Sequence, residues 1–248
     1  MGDTPESDGA RRVAVFDLDG TLLRGDSLAS FITSLLFRDR IRAAVAVLAA
    51  PLLGLMFFVP VARRRAISAL LWLATTGLPA GSLDGLLREF ADRHAADGNQ
   101  IAVALDRLHA HLSDGDHVVI ATACAEDLAS ELCRALGLDQ VQVVGARLSR
   151  GRSWLPAAGC RMWDALPTST GASSFGAEKV RRLREAGIST PVSCAYTDST
   201  ADLPLLLAAS RRYLVDPSPA QLRRLRAGGI SCEVLRSAGQ LPGSAATA

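Results

Sequence analysis

An alternation of buried-strand patterns with helical patterns, broken once by a long apolar stretch, constrains the fold of this chain more than any other feature. Short β-branched and apolar runs stand at RVAVF (12 to 16), HVVIAT (117 to 122), QVQVVG (140 to 145), VSCAYT (192 to 197) and RYLV (212 to 215). Runs of that length are the profile of strands buried on both faces. Between them, AEDLASELCRALGL (125 to 138), AEKVRRLREAG (177 to 187) and TADLPLLLAAS (200 to 210) carry apolar residues at helical spacing, with Leu128, Ala129, Leu132 and Leu136 on one stripe. The alternation implies an α/β fold: a Rossmann-like core with a mainly parallel sheet, covered on both faces. Residues 12–26 and 105–236 read as this core, in two pieces. Residues 27–104 hold no strand candidate and read as an inserted all-helical module.

Composition excludes several function classes. With 49% hydrophobic and 21% charged residues over 248 positions, the bulk of the chain is folded rather than disordered. The net charge of +2 and 5% aromatics provide neither the field nor the stacking platforms of a nucleic-acid binder. Cys124, Cys133, Cys160, Cys194 and Cys232 are odd in number and contain no CxxC pair, so they read as buried thiols in a reducing compartment. The opening MGDTPESDGA has no apolar run of a secretory signal, and the expected location is cytoplasmic. Residues 1–11 and 237–248 read as flexible tails. Of 27 basic residues, Lys179 alone is lysine, a position where arginine does not substitute for a compact ammonium.

Four pieces carry chemistry. In VAVFDLDGTLL (13 to 23) a buried strand runs out into Asp17 and Asp19, whose spacing lets both carboxylates face one cavity at the strand's carboxyl end, with Gly20 allowing a sharp exit. Thr122 closes HVVIAT just before a helix, where a hydroxyl beside helix N-terminal amides can hold a phosphate oxygen. Lys179 falls in the first turn of its predicted helix, the wrong end of the macrodipole unless an anion is near. In YTDSTADLPLL (196 to 206), Asp198 and Asp202 flank a strand-to-helix junction in a way that suits a hard cation such as Mg²⁺; taken alone, Asp198 or Thr200 also reads as a helix cap.

In this order the four pieces resemble the motifs of the haloacid dehalogenase superfamily of aspartate-nucleophile phosphatases. The position of the insertion resembles its subclass IB hydrolases with a helical cap, a group that includes phosphoserine phosphatases and phosphatidylglycerophosphatase C. The resemblance implies that Asp17 is the nucleophile and Asp19 the general acid and base, with Thr122 and Lys179 holding phosphoryl oxygens. It implies a Mg²⁺ cofactor held by Asp17, the main chain of Asp19, and Asp198, with Asp202 bound through water or behind the ligands. It also implies substrate contacts at Gly20, Thr21, Asp26 and Ala123. The favoured substrate is a phosphorylated lipid headgroup such as phosphatidylglycerol phosphate. A soluble phosphate such as phosphoserine, or a catalytically inactive membrane-interaction protein, are the alternatives.

The lipid expectation comes from the insertion. Residues 43–62 carry no charge, the length of a membrane span. Asp17 precedes the insertion while Thr122, Lys179 and Asp198 follow it, so a single crossing cannot bring them together. Two crossings would turn at Arg63, Arg64 and Arg65 on the far side, against the positive-inside tendency. The expectation is a cap lying on or dipping into the cytoplasmic membrane face, broken at Pro51 and Pro60. The alternative is a soluble cap that packs these faces into its own core or a dimer. His94, His109, His111 and His117, with Trp154 and Trp163, read as packing or surface residues, the tryptophans in an irregular stretch over 148–175.

Overall fold

The computed structural model describes residues 11–57, 60–79, 81–150, 160–162 and 175–237. The chain begins with β1 (Val13–Phe16) and then runs through α1 (Ser27–Phe37), α2 (Arg40–Phe57), α3 (Pro60–Thr75) and α4 (Ser82–His94). It continues through α5 (Ala102–Ser113), β2 (His117–Ala125), α6 (Glu126–Ala135), β3 (Gln142–Ala146), β4 (Leu148–Arg150) and β5 (Cys160–Met162). The last part comprises α7 (Phe175–Glu185), β6 (Val192–Thr197), α8 (Leu203–Leu207), β7 (Ala209–Val215), α9 (Pro219–Ala227) and β8 (Glu233–Leu235).

Six strands form one parallel sheet in the order β3-β2-β1-β6-β7-β8. The expected α/β architecture is the one observed. Alternate side chains of β1 supply two cores: Ala14 and Phe16 join Leu105, Leu108, Leu128 and Leu132 on one face, and Val15 joins Val180, Leu183, Leu205 and Leu225 on the other. The chain fills the sheet outward from β1 to β3, then returns to the far side of β1 and fills outward again to β8. β1 and β6 therefore flank the topological switch point, where open α/β sheets leave a crevice at their carboxyl ends. Asp17 follows β1 and Asp198 follows β6.

Several elements depart from the sequence expectation. β2 continues past Thr122 to Ala125, with an irregularity in its pairing between Ala121 and Ala125, so Thr122 lies inside a strand rather than at its end. α7 starts at Phe175, two residues early, which puts Lys179 in the second turn. The helix expected over 200–210 is a 3-10 turn over Thr200–Asp202 followed by the short α8; Ala209 already begins β7. The stretch 148–175 is not wholly irregular, since β4 and β5 pair antiparallel; Trp154 and Trp163 lie outside the described residues. So does nearly all of the two tails. Cys124, Cys133 and Cys194 are buried thiols as expected, but Cys232 is only partly buried, and Cys160 is described by its backbone alone.

The segment between β1 and α5 is helical, as its pattern suggests. α1 buries Leu28, Phe31, Ile32, Leu35 and Leu36 against Leu71 of α3 and Leu87 and Phe90 of α4. Its outgoing and returning connections are laced together: Leu23 bridges Gln100, Arg24 N–H donates to Asn99 O, and Ile101 N–H donates to Leu22 O. The boundary read at 105 falls inside α5. The uncharged run over 43–62 is divided, with α2 ending at Phe57 and α3 starting at Pro60. Pro51 does not break α2; it and Val47, whose carbonyl it deprives of a donor, are both exposed. No helix among the described residues is long and apolar enough to cross a membrane. α2 exposes a large apolar face all the same: Ile41 is 76% exposed, Leu48 82%, and Leu52 and Leu55 68% each.

Candidate active site

The crevice at the switch point is built on one ammonium. Lys179 Nζ lies 2.7 Å from Asp17 Oδ2 and 2.6 Å from Asp202 Oδ2, and all three side chains are buried. Lys179 reaches them because α7 packs closely on the turn before α8. A Cβ at Gly176 would come within 2.8 Å of Asp202 Cα and 2.7 Å of Pro204 Cδ, so only glycine permits that approach. Asp202 Oδ2 also accepts from Thr197 Oγ1 at 3.0 Å, while Asp17 Oδ1 accepts the Leu18 N–H at 2.8 Å. An arginine's larger planar head would not fit between two carboxylate oxygens this close together.

Burial shapes the acids here. At Asp17 it is the largest influence and lifts the carboxyl to about 8, against the downward pull of Lys179 and with a further push from Asp202. At Lys179 burial works against the ammonium, but the two carboxylates outweigh it and hold the pKa above its ordinary value. Asp19 is raised to about 6 by burial, opposed by hydrogen bonds from Ser27. Asp198 is also raised, chiefly by burial.

Asp198 approaches the DLDG loop across Gly20. A Cβ on Gly20, whose φ is +76°, would lie 2.3 Å from Asp198 Oδ2, so the glycine serves both the left-handed backbone and the close approach of this carboxylate. The main-chain oxygen of Asp198 accepts from Gln221 Nε2 at 2.8 Å, and Gln221 is itself held in the capping box of α9 with Ser218. Among the described residues no three Asp, Glu, His or Cys side chains converge as a ready-made metal cage. A cation beside Asp17 and Asp198 would complete its shell from main-chain oxygen and water, a set that fits Mg²⁺.

The remaining sequence candidates divide. Thr122 is buried two positions past the Phe16↔Ile120 register pair, and its Oγ1 accepts the Cys124 N–H at 3.0 Å. Ala123, next to it, is exposed. Thr21 is fully buried, and its Oγ1 has no hydrogen-bond partner among the described residues. Asp26 is the N-cap of α1 and accepts the Ala29 N–H at 2.9 Å. Sequence reasoning missed Ser27, whose hydroxyl and main-chain N–H both donate to Asp19 Oδ1, although Asp-Ser ahead of an apolar helix is a start signal. It also missed Gln221, Gly176 and Thr197.

Below the crevice, Phe16, Tyr196 and Tyr213 stack across three neighbouring strands, with centroids 4.1 and 4.3 Å apart. His111, expected to be a packing or surface residue, joins Tyr196 Oη at 2.9 Å to Asp116 Oδ2 at 2.7 Å, and Arg12 Nε donates to Asp116 Oδ1. His94 stacks on Phe90.

A family model described as haloacid dehalogenase-like hydrolase matches residues 14–207. Among solved structures, a protein of unknown function from Bordetella pertussis Tohama I aligns with a TM-score of 0.66 at 22% identity, over 92% of this chain and 99% of that one. An apo phosphoserine phosphatase aligns at 0.54 and 14%, over 87% and 91%. Cytosolic 5'-nucleotidase IIIB bound to cytidine aligns at 0.54 and 12%, over 91% and 80%. At these identities the likeness is one of fold.

Proposed function

This chain belongs to the haloacid dehalogenase-like hydrolases, and we propose that it is a Mg²⁺-dependent phosphatase that hydrolyses a phosphate monoester through an aspartyl-phosphate on Asp17. The observation that carries the proposal is the buried ammonium of Lys179 held between Asp17 and Asp202, at the carboxyl end of the central strand. A carboxylate and a phosphate dianion repel each other, so a nucleophilic aspartate needs fixed positive charge beside it before attack. Lys179 supplies part of that charge, and Asp202, itself fixed by the Thr197 hydroxyl, holds Lys179 in place.

An Asp17 oxygen attacks phosphorus as the bond to the ester oxygen breaks, and Asp19 gives its proton to the departing alkoxide. Asp19 then takes a proton from water, whose oxygen attacks the aspartyl-phosphate. Inorganic phosphate leaves and the Asp17 carboxylate returns. The Thr122 hydroxyl donates to a phosphoryl oxygen, and Gly20 and Ala123 border the phosphate; Thr21, expected beside them, is fully buried and stands behind the loop. Asp17, the carbonyl of Asp19, and Asp198 would hold Mg²⁺, with Asp202 behind them; when bound, the ion neutralises charge on the phosphoryl group and on Asp17.

The favoured substrate is a phosphorylated lipid headgroup such as phosphatidylglycerol phosphate, presented at the cytoplasmic membrane face. The exposed face of α2 supports this reading, together with the segment from Arg40 to Leu83, which has five arginines and no acidic residue to oppose an anionic surface. A soluble substrate such as phosphoserine, with Asp26 near the substrate amine, is the competing reading; Asp26 is exposed at the entrance to the insertion, although one of its oxygens is engaged in capping α1.

Assay of purified protein on lipid and soluble phosphate monoesters, with and without detergent, tests both. Asp17→Asn should abolish turnover on every ester; retained turnover ends the covalent mechanism. Wild-type protein should float with anionic liposomes, and Leu48, Leu52 and Leu55→Ser should release it. Each such side chain is worth about 1.5–3 kcal/mol in an apolar medium. Protein that ignores liposomes and prefers soluble esters would transfer the assignment to a soluble metabolite.

A further inference from the structure

We infer that Ser27, the first residue of α1, is the positioning residue for Asp19 and ties the proton-shuttling carboxyl to the first helix of the insertion. This rests on the phosphatase reading above. Ser27 Oγ donates to Asp19 Oδ1 at 2.5 Å and Ser27 N–H donates to the same oxygen at 3.0 Å. Both donors take Oδ1, which leaves Oδ2 for the reactants. Ser27 is fully buried, so water does not replace its hydroxyl.

The arrangement depends on how α1 begins. The first four amides of a helix have no partner within it. Asp26, as N-cap, takes the Ala29 N–H and leaves that of Ser27 to point outward, onto Asp19. The catalytic carboxyl thus sits at the positive end of an eleven-residue helix whose other face, through Phe31 and Leu35, packs into the insertion. Leu23, laced to Gln100, anchors the chain to the core just before this point. Any shift of α1 relative to the core beyond that anchor pulls on Asp19 through two hydrogen bonds.

Leaving-group dependence separates positioning of an acid from general support of the fold. An alkyl phosphate needs its leaving oxygen protonated, whereas p-nitrophenolate departs without a proton. Ser27→Ala should lower kcat on an alkyl phosphate by about 10- to 100-fold, a part of what a general acid contributes, with KM within about twofold. The pre-steady-state burst rate of p-nitrophenol from p-nitrophenyl phosphate should stay within about twofold of wild type. Ser27→Thr, which keeps the hydroxyl, should restore at least about half of the alkyl rate. Burst amplitude counts folded sites, so protein lost to misfolding changes the amplitude and not the rates compared. Equal slowing of both first steps, or no slowing of either in an active enzyme, would overturn the inference. Wild-type protein inactive on every ester would instead overturn the phosphatase reading beneath it.

Discussion

Replacing Lys179 with methionine keeps the length of the side chain and removes its charge. The two oxygens it bridges both lie within hydrogen-bond distance of Nζ, so they are about 5 Å apart at most. Burial already lifts Asp17 to about 8 against the pull of Lys179, so without the ammonium Asp17 takes a proton at neutral pH and Asp202 is left as a buried carboxylate with no counter-charge. Breaking a buried ion pair by removing one partner costs about 3–5 kcal/mol. Lys179→Met should therefore lower the unfolding free energy by about 3–5 kcal/mol, read from urea titration in chelator-treated buffer at neutral pH. Adding Asp202→Asn removes that uncompensated carboxylate and should recover at least half of that loss. A single variant within about 1 kcal/mol of wild type, or a double variant no more stable than the single, would refute the bridged arrangement. Both variants should be inactive, so recovered stability without recovered turnover separates the structural role of Lys179 from its chemical one.

Gly20→Ala should cost about 1–3 kcal/mol, since it places a Cβ 2.3 Å from Asp198 Oδ2 at a left-handed φ. It should also raise the Mg²⁺ concentration for half-maximal activity at least about tenfold; unchanged Mg²⁺ dependence would remove Asp198 from the ligand set. Site-resolved alkylation of the native protein should modify Cys232 before Cys124 or Cys133, because Cys232 is partly exposed while the other two are buried; burial raises all three thiols, Cys133 to about 12. Labelling of Cys124 as fast as Cys232 would show that the floor beside Asp19 opens.

What could be read from the sequence follows what each residue's surroundings demand locally. β1, β2 and β6 were legible because burial on both faces leaves an unbroken apolar signal. The first half of β7 was not: Ser210 and Arg211 are exposed on a strand near the sheet edge and resemble the end of a helix. β8 and the β4–β5 pair are three residues long, too short for periodicity. In the site, Asp17, Asp19, Lys179 and Asp198 stood out through their motif spacing. The partnership of Lys179 with Asp202 did not, because it joins residues 23 apart and depends on the tight contact at Gly176. Asp26 was read for its charge, yet it caps α1, and its unnoticed neighbour Ser27 is the residue that touches Asp19. The partners of His111 are five and 85 positions away, beyond the reach of any local pattern.

The stack beneath the crevice gives the protein an internal optical gauge. Its two tyrosines, Tyr196 and Tyr213, are the only ones in the chain, and they lie face to face on adjacent strands with an interplanar angle of 4°. The tyrosine component of the near-ultraviolet circular dichroism therefore comes from a single spot, the β6–β7 seam two residues before Asp198. Such signals vanish when fixed packing is lost even where secondary structure persists. Every variant discussed above can thus be checked for an intact sheet under the site by that tyrosine component, separated from the longer-wavelength bands of the three tryptophans, with no label attached and no substrate added.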